Sequence, residues 1–206
     1  MDTFYYPIGT NHIEHKIKSS VFKVYIYKIN STAEFKRIYQ SLKKQYNNAN
    51  HICFAYRLSN SSDLFDKPLI DNYSSDSGEP SGTAGKPILN MLITYKLINT
   101  AVFVIRYFGG IKLGIPGLID AYKYSAEQVI NTTKLIIWRN LSTINLIYRY
   151  KSESLVLKVI KQYKGKIIKN DFSEIIKTSI EIDKINKDKF ISTLKEKSNG
   201  TIQFEE

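Results

Sequence analysis

Residues 74–87 read Ser-Ser-Asp-Ser-Gly-Glu-Pro-Ser-Gly-Thr-Ala-Gly-Lys-Pro, with three glycines, two prolines, two acids and one lysine in fourteen positions. No helix or regular strand tolerates that density of breakers, so the chain crosses this stretch as a loop. A second loop follows at residues 106–117, Arg-Tyr-Phe-Gly-Gly-Ile-Lys-Leu-Gly-Ile-Pro-Gly. Each stands directly before an apolar helical pattern and so brings free backbone N–H groups to a helix start. Such loops hold either an anionic ligand or another part of the protein.

The flanking periodicities supply the rest of the plan. Residues 13–17 and 21–29 read as strands, the second alternating Val21, Lys23, Tyr25 and Tyr27 against Phe22, Val24 and Ile26. Ser31-Thr-Ala-Glu34 reads as a capping box, opening a helix to about Tyr46 that buries Phe35, Ile38, Tyr39 and Leu42. A strand over 51–58 and a polar surface loop over 59–66 precede the first glycine loop. The spacing then predicts a helix over 85–97, with Pro87 in its first turn, where a missing N–H costs nothing. Residues 100–107 are almost continuously apolar, as a central strand covered on both faces must be. The second loop feeds a helix over about 117–132.

From Ile136 the rhythm changes. A strand to Tyr150, a helix over 152–163, strands over 166–169 and 174–182 around an Asn170-Asp171 turn, a helix over 184–197 and a strand over 200–204 follow. The order β-α-β-β-α-β is the ferredoxin-like signature. The chain is therefore expected to be α+β, in two domains spanning 1–135 and 136–206.

At 206 residues, 43% of them hydrophobic, the chain has enough apolar surface for this plan. The formal charge is +11, spread evenly along the chain, which suits phosphate-bearing partners. The abundance of Lys, Ile, Asn and Tyr throughout offers a second origin, a general compositional bias, and the sequence leaves both open. Cys53 is the only cysteine, so no intrachain disulfide or thiolate cluster forms, and its apolar flanks mark it as a buried small hydrophobe. No basic leader and no apolar run of membrane-spanning length is present, so a cytoplasmic, soluble protein is expected.

The loops carry the chemistry. Asp76, Glu79, Lys86, Arg106, Lys112 and Asp120 are the groups there able to move protons or meet charge, with Ser81 and Thr83 as hydroxyls. His12, His15 and His51 all lie upstream of both loops, and no nucleophile–base spacing is evident. His12 and His15 lack the company a metal site needs, so neither a metal nor a cofactor is expected. Neither loop fits a nucleotide fingerprint: the first lacks the P-loop spacing, the second the Gly-x-Gly-x-x-Gly pattern. Two readings remain. The glycines serve tight turns and close packing, with Asp76 and Glu79 bonding loop amides or pairing with Lys86 and Arg106. Alternatively the loops bind an anion or RNA phosphate through Lys86, Arg106 and Lys112, with the amides of Gly109, Gly110, Gly114 and Gly117. Tyr107 and Phe108 would then either stack on bases or pack in the core.

The signature Asp76, Gly78, Glu79, Pro80, Gly82, Thr83 and Gly85, followed by Arg106-Tyr-Phe-Gly-Gly and Leu113-Gly-Ile-Pro-Gly-Leu-Ile-Asp-Ala-Tyr122, resembles that of the IMPACT (YigZ, UPF0029) family. Lys16-Ile-Lys-Ser-Ser-Val-Phe and Asn50-His-Ile-Cys-Phe-Ala-Tyr fit the same pattern. Ser77 stands where the family usually has a second aspartate, and Pro116 where it usually has glycine. The resemblance implies a ribosomal protein S5 domain 2-like domain followed by one like the last domain of elongation factor G. It also implies a translation-associated role. The function expected is a non-enzymatic RNA- or ribosome-associated regulator of translation. The alternatives are an enzyme acting on a small phosphorylated or peptide substrate, with Asp76 or Glu79 as base, and a protein–protein adaptor.

Overall fold

The computed structural model describes residues 3–62 and 68–205. The chain divides into two compact units between Trp138 and Arg139. The first contains β1 (Tyr5–Pro7), β2 (Thr10–Ile17), β3 (Ser20–Lys28), α1 (Thr32–Gln45), β4 (His51–Ser62), β5 (Pro68–Ser75), α2 (Gly85–Thr94), β6 (Thr100–Tyr107), α3 (Gly114–Asn131) and β7 (Leu135–Ile137). Five strands form an antiparallel sheet in the order β2-β3-β6-β4-β5.

Alternation along the strands divides the core in two. Phe22, Val24 and Ile26 of β3, Cys53 and Ala55 of β4, and Val102 and Val104 of β6 pack under α2 and α3. Phe54, Ala101, Phe103 and Ile105 point the other way and pack on Phe35 and Leu42 of α1. This double coverage is why residues 100–107 are continuously apolar.

Helix ends follow local chemistry. Ser31 Oγ accepts the Glu34 N–H at 3.2 Å, while the Glu34 carboxylate accepts the Asn30 N–H at 2.8 Å, one residue before the usual capping-box partner. α2 stops at Thr94 rather than Leu97 because Lys96 takes φ 51°, and the Leu97 N–H turns back to the Leu92 carbonyl at 2.8 Å. α3 starts at Gly114, three residues before the expected Gly117, so Pro116 lies in the first turn, where no N–H is missed.

β5 and β7 depart from the expectation. Ser59 to Ser62 belong to β4 rather than to a surface loop, and the remainder of that expected loop, 63–66, lies outside the described residues. Residues 135–137 pair with β1 instead of opening the second domain, which sets the division at Trp138 rather than Leu135.

The second unit contains β8 (Leu141–Tyr148), α4 (Glu153–Gln162), β9 (Lys166–Phe172), β10 (Ile176–Asp183), α5 (Lys187–Lys197) and β11 (Gln203–Glu205). Asn170 and Asp171 lie inside β9, so the expected turn falls later, between Phe172 and Ile176. The antiparallel order β11-β8-β10-β9 is that of a ferredoxin-like sheet. Its core joins Ile144, Leu146, Ile176 and Ile180 to Val156, Val159, Phe190 and Leu194 of the helices.

Candidate functional site

The first glycine loop leaves β5 and enters α2, and Asp76 organises it. Its carboxylate accepts the N–H groups of Gly82 at 2.8 Å, Ala84 at 2.9 Å and Gly85 at 2.8 Å. Ala84, the residue preceding α2, has no side-chain oxygen to offer, so Asp76 caps the helix from eight residues upstream. Burial pushes the Asp76 carboxyl up, but the three N–H donors of Gly82, Gly85 and Ala84 outweigh it and hold the group below its ordinary value. The amides that an external anion would need are thus taken by the protein's own carboxylate. Gly85 has to be glycine, since a Cβ there would stand 2.7 Å from the Ser75 nitrogen.

Glu79 is buried, and its Oε1 accepts from Arg106 Nη1 at 2.6 Å and from the Tyr122 hydroxyl at 2.8 Å. Arg106 is only 5% exposed, and its Nη2 donates to Ser20 Oγ at 3.3 Å. This corrects the expectation that Lys86, Arg106 and Lys112 together face a phosphate. Arg106 shares the face of β6 that carries Val102 and Val104, and that face is covered by the α2–α3 layer. Lys86 and Lys112 remain exposed.

The start of β4 ties the two loops together. His51 Nδ1 lies 3.0 Å from the Ser77 carbonyl, which can only accept, so Nδ1 carries a proton and Nε2 faces Glu79 Oε1 at 3.9 Å. A histidine absent from both loops in sequence is therefore brought against the first by the fold. Asn50 Oδ1 accepts the Phe108 N–H of the second loop at 2.8 Å. The Cys53 thiol faces the Asp76 carbonyl at 2.9 Å and the Tyr122 hydroxyl at 3.3 Å, and burial pushes it up to about 12, beyond nucleophilic use. Ser77 sits in the left-handed region at φ 47°, a conformation that Asp and Asn also tolerate, and it meets His51 through its carbonyl. Serine in place of the usual aspartate therefore removes no contact to His51.

In the second loop Gly109 lies against the hairpin between β2 and β3, where a Cβ would overlap the Ser19 carbonyl. Gly110, Ile111, Lys112 and Gly114 are exposed, Gly117 is half-buried, and Phe108 is 43% exposed. Tyr107 is half-buried, with its hydroxyl donating to Asn48 at 3.1 Å. α3 opens with neither a side-chain cap nor an acid in its first turn. Pro80 accepts the Thr83 hydroxyl at 2.6 Å through its carbonyl, which closes the first loop on itself, and Gly78 packs against the His51 ring.

For the enzymatic alternative, Glu79 already serves two donors and Asp76 three, so neither is an open base. Among the described residues no three His, Cys, Asp or Glu side chains converge as a metal site would require, and no helix is long and apolar enough to cross a membrane.

Comparison with known proteins places this geometry. Residues 18–130 match the Impact N-terminal domain, covering both glycine loops. An IMPACT family member of Haemophilus influenzae is 29% identical over 202 residues, 98% of this chain and 96% of that protein. The member YigZ of Escherichia coli is 26% identical over 98% of this chain and 97% of its own length. YvyE of Bacillus subtilis is 39% identical over 120 residues, 57% of this chain and 52% of that protein. A crystal structure of a hypothetical protein, 26% identical, superposes with a TM-score of 0.65 over 99% of this chain and 97% of its own.

Proposed function

The chain belongs to the IMPACT family, and on that premise we propose that it is a cytoplasmic RNA- or ribosome-associated protein with a regulatory role in translation. One observation carries the RNA part. The two acids of the signature loop bond to the protein's own donors, half-buried Asp76 to three amides and buried Glu79 to Arg106 and Tyr122. The fully exposed charges within the two loops are those of Lys86 and Lys112, with Asp120 exposed just beyond them on α3. A stretch of mixed sign in sequence therefore presents its lysines more fully than its acids to an approaching partner, which favours phosphate.

The second unit offers less. The sheet face turned away from its helices carries Lys177, Glu181, Asp171, Lys169 and Glu205, of both signs, with Lys177 paired to Glu205 at 3.4 Å. The translational part of the reading rests on what the family resemblance implies, one unit like ribosomal protein S5 domain 2 and one like the last domain of elongation factor G, an argument from fold.

The test is co-sedimentation with ribosomes and binding to single-stranded RNA as salt is raised. Binding should weaken steeply with salt, and Lys86→Glu with Lys112→Glu should weaken it further and flatten the salt slope by about 0.7 per lost phosphate contact. Absence of binding at low salt, or indifference to both reversals, overturns the reading.

A further inference from the structure

Lys16, Ile17 and Lys18, with Leu113 and the α3 residues Gly117, Asp120, Ala121 and Tyr124, line a groove of about 460 Å³ in the first unit. That volume lies within the range of small-ligand sites, about 300–1,000 Å³. We propose that this groove holds one nucleotide unit of single-stranded RNA, with flanking phosphates on Lys16 and Lys18 and the base stacked on Tyr124. The proposal rests on the RNA-binding reading above and gives it a place.

Four properties of the lining carry it. Lys16 and Lys18 are both exposed, Lys16 near the end of β2 and Lys18 in the β2–β3 turn, where it takes φ 51°. Tyr124 is 46% exposed, and an edge contact with the His15 ring, 5.3 Å between centroids at 88°, holds it in place. An aromatic ring fixed in this way loses little freedom when a base stacks on it. The floor is apolar and kept low by Gly117, where a Cβ would stand 3.2 Å from Leu113 Cβ. Asp120 adds an acceptor that cannot donate when ionised.

That combination selects among anions. Asp120 opposes a bare phosphate or an acidic peptide, yet it suits a ribose 2′-hydroxyl or an exocyclic amine, both of which donate. Two cations, an acceptor and an aromatic face around an apolar floor match the parts of a nucleotide. The groove also adjoins the second glycine loop at Leu113, next to exposed Lys112. A strand lying in it would continue over the exposed lysines already described.

The experiment is fluorescence anisotropy of the full chain with a labelled oligouridylate across a potassium chloride series. Tyr124→Ala should weaken binding about tenfold or more with the salt slope unchanged, and Tyr124→Phe should restore it. Lys16→Gln with Lys18→Gln should lower the slope by about 0.7 for each lysine. Should Tyr124→Ala melt early, Tyr124→Leu repeats the test with bulk retained. If the wild type binds but Tyr124→Ala binds equally well, or the lysine pair leaves the slope unchanged, the groove assignment falls and the RNA reading survives. A wild type that binds neither oligouridylate nor ribosomes at low salt overturns both. Displacement of the oligonucleotide by oligoglutamate at equal charge concentration points to an acidic protein partner and overturns the nucleotide assignment.

Discussion

Glu79 and Arg106 stand out of water, where each charge costs several kcal/mol unless fully partnered. Tyr122 bonds Glu79 and Ser20 bonds Arg106, which offsets part of that cost, while Arg106 Nε stays buried without a hydrogen-bond partner among the described residues. Arg106→Ala strands the Glu79 carboxylate, so a loss of about 3–5 kcal/mol is expected in denaturant unfolding. Tyr122→Phe removes one donor and keeps the pair, so a smaller loss of about 1–2 kcal/mol is expected. Cys53 supplies an independent check on the same interior. With its thiol pushed up to about 12, alkylation by iodoacetamide at mildly alkaline pH should be very slow in the native protein and rapid in urea. Fast native labelling would mean that the cluster opens readily. The sequence offered Arg106 as a partner for the loop acids only beside Lys86 and the loop amides, without choosing among them. Which cation meets Glu79 depends on strand parity in β6, and that is decided only when α2 and α3 cover one face of the sheet.

Asp76 matters through α2. Its folded carboxyl lies below its ordinary value, so the stabilisation is complete above the unfolded value of about 3.9 and is lost as pH falls through the folded one. Asp76→Ala should cost about 1–2 kcal/mol or more and remove that acid dependence. Hydrogen exchange at the Gly82, Ala84 and Gly85 amides should quicken in the variant while that at mid-helix amides changes less. Gly109→Ala should cost about 1–3 kcal/mol by pushing the second loop off Ser19, seen as a lowered unfolding midpoint. At this scale β3, α1 and α4 were readable because each buries a periodic face, and β6 because its run is continuously apolar. β5 was not, since an edge strand with Leu69 and Tyr73 exposed carries no apolar alternation. β1 and β7 span three residues each, too short for any period to register. The start of α3 was misplaced because Pro116 reads as a breaker unless the turn that contains it is already known.

Each unit has its own apolar interior, one built around β6 and one between the β8–β10 strands and helices α4 and α5. Residues 139–206 expressed alone should therefore give a cooperative thermal transition with native-like circular dichroism, and a featureless melt would contradict a self-sufficient core. The strand order β2-β3-β6-β4-β5 has a further consequence, which concerns synthesis. A chain leaves the ribosome from its N-terminus, so the hairpins β2–β3 and β4–β5 both emerge before the strand that joins them. Until Tyr107 clears the exit tunnel, their inner edges stand unpaired, and β1 waits longer still for β7. Nascent chains stalled before β6 should be open to protease and to chaperone capture, and those released past Trp138 should resist both. The strand most deeply buried in the finished unit is the one its birth leaves until late.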